Sequence, residues 1–200
     1  MKKILLVVLA LLLVCSQALA EDAVSSATLK IDQLPVVETA DNGILVVYFS
    51  PDDTVRAAAY TIAAALSAEL FEIVSEEPYT ADDLNYNNSK ARCRVEMADA
   101  GARPAISALP ESLDRYSTVL LGYPIWGGQA PKIISTFLES VDLSGKTVIP
   151  FCTSNSSGIG SSDTNLHSLA PDTVWQKGTR IQKGSTAEDI ILYAQGLSLE

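Results

Sequence analysis

Apolar positions along this 200-residue chain fall into short unbroken runs, separated by longer stretches in which they recur at helical spacing. That alternation predicts strands that are each followed by a helix. The clearest run is Ile44-Leu45-Val46-Val47-Tyr48-Phe49, β-branched and aromatic, the pattern of a strand covered on both faces in a parallel sheet. After the turn segment Ser50-Pro51-Asp52-Asp53-Thr54, residues Val55, Ala59, Ile62, Ala63, Leu66 and Leu70 form one helical stripe. Phe71-Glu72-Ile73-Val74 reads as a second strand, and the polar stretch 75–102 contains a helix expected near residues 90–99. Thr118-Val119-Leu120-Leu121-Gly122 is a third strand. The next helix has Pro131 in its first turn and Ile133, Ile134, Phe137, Leu138 and Val141 on one face. Thr147-Val148-Ile149-Pro150-Phe151-Cys152 is a fourth strand, followed by a Ser/Gly-rich loop and a short helix near 163–169. A short fifth strand is expected at Thr173-Val174-Trp175, and Ile190, Ile191, Ala194 and Leu197 mark a last helix. Strand-helix alternation places helices on both faces of a parallel sheet, giving a three-layer α/β sandwich with its ligand site at the C-terminal edge of the strands. The length suits one domain, read as residues 43–197.

The first 42 residues are organised differently. Met1-Lys2-Lys3, an apolar run over residues 4–14 and then Ser16-Gln17-Ala18-Leu19-Ala20 have the three regions of a secretory signal, with cleavage expected after Ala20. The apolar run is shorter than the roughly 20 residues of a spanning helix, so no membrane span is expected after cleavage. Val14 stands before Cys15 where a lipid-attachment signal wants a small residue. Residues 21–42 form a polar spacer whose one apolar knot is Leu34-Pro35-Val36-Val37. The chain is therefore expected outside the cytoplasm, secreted, periplasmic or in the cell envelope.

Charge narrows the partners. The formal balance of 14 basic and 24 acidic residues becomes 12 against 24, or −12, once Lys2 and Lys3 leave with the signal. Such an acidic surface argues against nucleic acid and favours a basic partner. Only Cys93 and Cys152 remain after cleavage, too few for a disulfide framework, and their pairing is open. One histidine, His167, and no Cys-x-x-Cys pair leave no recognisable metal site.

Three loops leave the C-terminal ends of the expected strands: residues 50–55, 123–129 and 153–162. The second, Tyr123-Pro124-Ile125-Trp126-Gly127-Gly128, sets a large aromatic between a rigid proline and two glycines. An exposed Trp126 would offer a stacking face to a planar ring, and the glycines would let backbone N–H groups reach a ligand edge. The plainer alternative is that Trp126 caps the core. Ser156, Ser157, Asp163 and His167 lie close together in sequence, but no Gly-x-Ser-x-Gly elbow or placed base accompanies them, and polar loop solvation explains them. Cys152 ends a buried strand and reads as an inert core thiol.

Several motifs share an order and spacing with one family. They are Gly122-Tyr123-Pro124-Ile125-Trp126, Ala130-Pro131, Thr136-Phe137-Leu138-Glu139, Leu143-Ser144-Gly145-Lys146-Thr147, and Pro150-Phe151-Cys152-Thr153-Ser154 followed by Gly158-Ile159-Gly160-Ser161-Ser162. In these the chain resembles the flavodoxin family over residues 43–197, most closely after Tyr116. The resemblance implies a five-stranded parallel sheet in the order 2-1-3-4-5, with FMN at the switch point between the first and third strands. It also implies cofactor contacts from Tyr123, Pro124, Ile125, Trp126 and Gly127 on one side of the flavin ring and Thr153, Ser154, Asn155 and Gly158 on the other. Ser50, Asp52, Asp53, Thr54 and Val55 would surround the phosphate.

The phosphate loop departs from the family's usual Ser/Thr-x-Thr-Gly-Asn-Thr, reading Ser50-Pro51-Asp52-Asp53-Thr54-Val55 in the same register. A carboxylate at a helix N-terminus accepts the N–H groups that would hold a phosphate, and it repels the phosphate as well. Asp53 also replaces a glycine suited to positive φ. Asn155-Ser156 stands where a glycine pair is frequent, and Gly127 where a second Trp is frequent. The expected function is an FMN protein that carries electrons or reduces a small acceptor, with catalysis by the flavin and no catalytic side chain. A fold of this kind that has lost tight FMN binding and serves as a binding or scaffold module is the alternative. A reductase drawing on a nicotinamide donor is a third reading, disfavoured by the lack of a second nucleotide motif.

Overall fold

The computed structural model describes residues 34–199; the expected signal, with Cys15, and the spacer as far as residue 33 lie outside the described residues. The order of elements is β1 (Ile44–Tyr48), α1 (Thr54–Leu66), β2 (Glu69–Glu72), α2 (Arg92–Ala98), β3 (Thr118–Pro124), α3 (Lys132–Ser140) and β4 (Thr147–Ser154). A 3-10 turn (Thr164–Leu169), β5 (Val174–Trp175), β6 (Thr179–Gln182) and α4 (Ala187–Gln195) complete it. Every strand pair is parallel and the sheet runs β2-β1-β3-β4-β5, the 2-1-3-4-5 order implied by the resemblance. The fold is the α/β flavodoxin-like sandwich.

The fifth position of the sheet is filled by two pieces, because β6 also pairs with β4. Pro150 explains the break. The Val148 carbonyl accepts the Gln176 N–H at 2.9 Å, so two residues further on β4 should return an N–H to the same neighbour. Pro150 has none, and the ladder stops until Phe151 pairs with Thr179. The sequence reading found β5 and missed β6, whose one buried apolar residue is Ile181.

Alternate residues of each strand feed two cores. Leu45, Val47, Phe49, Val119, Leu121 and Val148 face α3, the 3-10 turn and the segment between β2 and β3. Val46, Tyr48, Leu120, Ile149 and Phe151 face α1 and α4. Each large side chain so buried is worth about 1.5–3 kcal/mol, which is why both faces must be covered. Gly122 is required where β3 crosses Phe151, since a Cβ there would run into the ring.

Boundaries differ from expectation at β2 and α1. Leu70 belongs to β2 rather than to the helical stripe, because α1 stops at Leu66 with Ser67 in the left-handed region (φ 50) and pairing with β1 starts at Glu69. The strand is thus Glu69–Glu72, not 71–74. The end of the spacer docks on the C-terminus of α1, where the Asn42 side-chain amide donates to Leu66 O at 2.8 Å and Ala40 N–H to Ser67 O at 2.8 Å. No described helix is long and apolar enough to cross a membrane.

Candidate functional site

The C-terminal ends of β1, β3 and β4 open into a cavity of about 750 Å³, the size of a small-molecule site. All three expected loops contribute: Pro51, Asp52 and Thr54 from the first, residues 124–128 from the second, and residues 153–157 from the third. Two further walls were not expected. Leu84 and Tyr86 come from the segment between β2 and β3, and residues 181–187 with Ile190 come from the turn between β6 and α4. Each left a trace in the sequence. Tyr86 is one of two aromatics, with Tyr79, in a polar stretch, and Thr186 and Asp189 form a capping box at the start of α4.

The second loop is shorter than expected because β3 runs on to Pro124. Pleating then decides the side chains. Tyr123 turns into the core, fully buried, with its hydroxyl 3.3 Å from Ser162 Oγ, so its ring does not reach the cavity. Burial pushes its phenol above the ordinary value. For Trp126 the structure favours the plainer of the two readings, a side chain packed onto the core. It is 5 % exposed and packed edge-on against Phe49 and Tyr79, at centroid distances of 5.8 and 5.4 Å, with part of its surface on the cavity wall. Residues 126–129 close a tight turn, Trp126 N–H to Gln129 O at 2.9 Å and Gln129 N–H to Trp126 O at 3.0 Å. Gly127 and Gly128 make that turn at φ 56 and 82, and a Cβ on either would meet open space.

Tyr79 is itself held. Its hydroxyl donates to Glu96 at 2.7 Å, and the Arg92 guanidinium lies 4.1 Å from its ring centroid. Tyr86, which lines the cavity, has its phenol pushed up to about 12 by burial.

In the first loop the two aspartates separate. Asp53 takes φ 64, a left-handed conformation that favours glycine, at a cost of about 1 kcal/mol. Its carboxylate turns to Arg56, which also pairs with Glu72, and does not line the cavity. Asp52 does line it. Its Oδ1 accepts the Thr54 hydroxyl at 2.8 Å and approaches the Thr54 N–H at 3.4 Å, while Thr54 Oγ1 stands 3.2 Å from Thr153 Oγ1. Ser50 is buried and caps α1 by accepting the Arg56 N–H at 2.9 Å, and Val55 is buried in the core. Gly158 lies past the wall, which ends at Ser157. Of the residues expected to surround a ligand, Ser50, Asp53, Val55, Tyr123 and Gly158 therefore act from behind the wall or away from it.

The serine cluster does not assemble a nucleophile. Asp163 spends its carboxylate on the N–H groups of Thr164 (2.8 Å) and Gly178 (3.2 Å), and His167 stacks on Trp175 with 4.7 Å between ring centroids. Neither lines the cavity. Cys152 is buried, and burial pushes its thiol up to about 12.

Comparison with known proteins agrees with this geometry. A family model described as Flavodoxin matches residues 43–195. A proposed flavoprotein from Bacteroides eggerthii DSM 20697 is 42% identical, with a TM-score of 0.71 over 76% of this chain and 95% of its own. Another, from Bacteroides uniformis ATCC 8492, is 40% identical, with a TM-score of 0.73 over 76% and 97%. A flavoprotein in complex with FMN from Lactobacillus acidophilus NCFM shares the fold at 23% identity and a TM-score of 0.58, over 68% of this chain and 91% of its own. No protein of curated function matches. With a parallel sheet in 2-1-3-4-5 order, a cleft at its switch point and a family match running from the turn before β1 to the end of α4, the chain belongs to the flavodoxin family.

Proposed function

We propose that this chain holds a flavin in the cleft above β1 and β3 and carries electrons, or reduces a small acceptor, outside the cytoplasm. The observation that carries the reading is the convergence of three strand-end loops on one cavity of about 750 Å³ at the switch point of a flavodoxin-family sheet. The FMN complex of the Lactobacillus relative supports a flavin as the ligand. Export rests on the signal-like residues 1–20, and the acidic charge favours docking to a basic partner protein.

The ring end of the cleft fits a flavin. Ile125, Trp126, Tyr86 and Leu84 give apolar walls, and the open backbone at Gly127 and Gly128 leaves room for a planar edge to come close. The tail end fits FMN less well, because the Asp52 carboxylate stands where a phosphate would take the first N–H groups of α1. A bound flavin supplies one- and two-electron transfer from its own ring. The chain's residues bind and shield: Trp126, clamped by Phe49 and Tyr79, fixes the wall's position, and the apolar side chains keep water from the ring.

The test is a visible absorption spectrum of the purified protein, followed by titration with FMN and riboflavin. Flavin bands that co-purify, or a saturable spectral shift with either flavin, are expected. Absence of binding by a folded protein would reject the reading and select the second one, a binding module without flavin, to which the Asp52 carboxylate lends its weight.

A further inference from the structure

Several of the groups that could hold an anion at the start of α1, the Thr54 N–H and hydroxyl and the Arg56 N–H, are engaged with the chain's own side chains. Thr54 gives its hydroxyl proton to Asp52 at 2.8 Å, and its N–H points at the same carboxylate at 3.4 Å. The Ser50 hydroxyl accepts the Arg56 N–H. Arg56 is held between Asp53 and Glu72 and does not reach the cavity wall. Pro51 has no N–H to offer. Among the described residues that line the cavity, Asp52 is the one carboxylate and Lys183, on the turn between β6 and α4, the one ammonium.

A phosphate monoester brings about −1.5 to −2 charges at neutral pH and offers only acceptors to this corner. A sugar-alcohol tail ending in a hydroxyl brings no charge, and it offers O–H donors that the free acceptor sites of Asp52 and Thr153 can take. On the flavin reading above, we propose that this site prefers a flavin without phosphate, riboflavin, over FMN, and that Asp52 determines the preference.

Titrating the purified protein and its Asp52→Asn variant with riboflavin and with FMN, followed by flavin fluorescence, tests this. The unchanged protein is expected to bind riboflavin about tenfold or more tightly than FMN at low salt, from repulsion between exposed charges a few ångströms apart. Asp52→Asn is expected to remove most of that ratio, chiefly by strengthening FMN, with folding of the variant checked separately by far-UV circular dichroism and urea unfolding. Added salt should strengthen FMN binding to the unchanged protein by screening the repulsion and leave riboflavin unmoved. FMN binding more tightly than riboflavin, or a ratio indifferent to Asp52→Asn, would overturn the preference while leaving the flavin reading intact. Failure of both flavins to bind either protein would overturn both.

Discussion

The Asp163 carboxylate accepts the Gly178 N–H at 3.2 Å in the protein interior, tying the loop after β4 to the gap between β5 and β6. Its other oxygen caps the 3-10 turn through Thr164 N–H. A Cβ on Gly178 would press on Ile159 and stand 2.9 Å from Asp163 Oδ2, so the two residues need each other's shape. Asp163→Ala leaves a buried N–H without its acceptor and removes a cap, and it is expected to cost about 2–4 kcal/mol. Gly178→Ala is expected to cost a similar amount, and the double variant less than the sum, measured by urea unfolding. Full additivity would mean that the contact does not couple them.

Cys93 and Cys152 are both free and buried, on α2 and β4. The native protein freed of residues 1–20 should therefore show neither thiol to a disulfide reagent at mild alkaline pH, and both after denaturation. Rapid labelling of one thiol under native conditions would show that its element opens far more readily than its packing implies.

Glu139 accepts two N–H groups of Arg103, at 2.6 and 2.8 Å, and these hydrogen bonds hold its carboxyl below the usual carboxylate range. The unfolded chain takes up the proton first as pH falls. The pair's stabilisation is therefore complete above the ordinary value of about 4.3 and disappears as pH drops through the lower folded value. With Arg103 33 % and Glu139 40 % exposed, solvent screening limits the effect to about 0.5 kcal/mol. Urea unfolding of Glu139→Gln should show that deficit at pH 7 and a vanishing one in acid. A deficit that grew in acid would reverse the assignment.

Much of this architecture was legible because burial on both faces demands unbroken apolar runs, and Ile44–Tyr48 and Thr118–Gly122 are such runs. Contacts across the chain were not legible. Whether Trp126 faces a ligand or the core depends on Phe49 and Tyr79, which lie 77 and 47 residues before it. Tyr123 was read as a loop residue since the apolar run pauses at Gly122, but that glycine is there to admit Phe151 and the strand continues through it. The split between Asp52 and Asp53 follows from one backbone angle at Asp53 and from an arginine three residues on. The wall from 181–187 was missed because a four-residue strand with one buried apolar side chain is too faint a signal beside the capping box that follows it.

The interrupted fifth strand has a consequence for crowding. A sheet stays a monomer's sheet only if its margins refuse a neighbour's backbone. One margin is β2, four residues long, with a glutamate at each end engaged by Arg115 and Arg56. The other consists of pieces of two and four residues, parted where Pro150 withholds its hydrogen bond. Both margins are short, so the proline that breaks the ladder also shortens the edge that a second molecule's backbone could pair with.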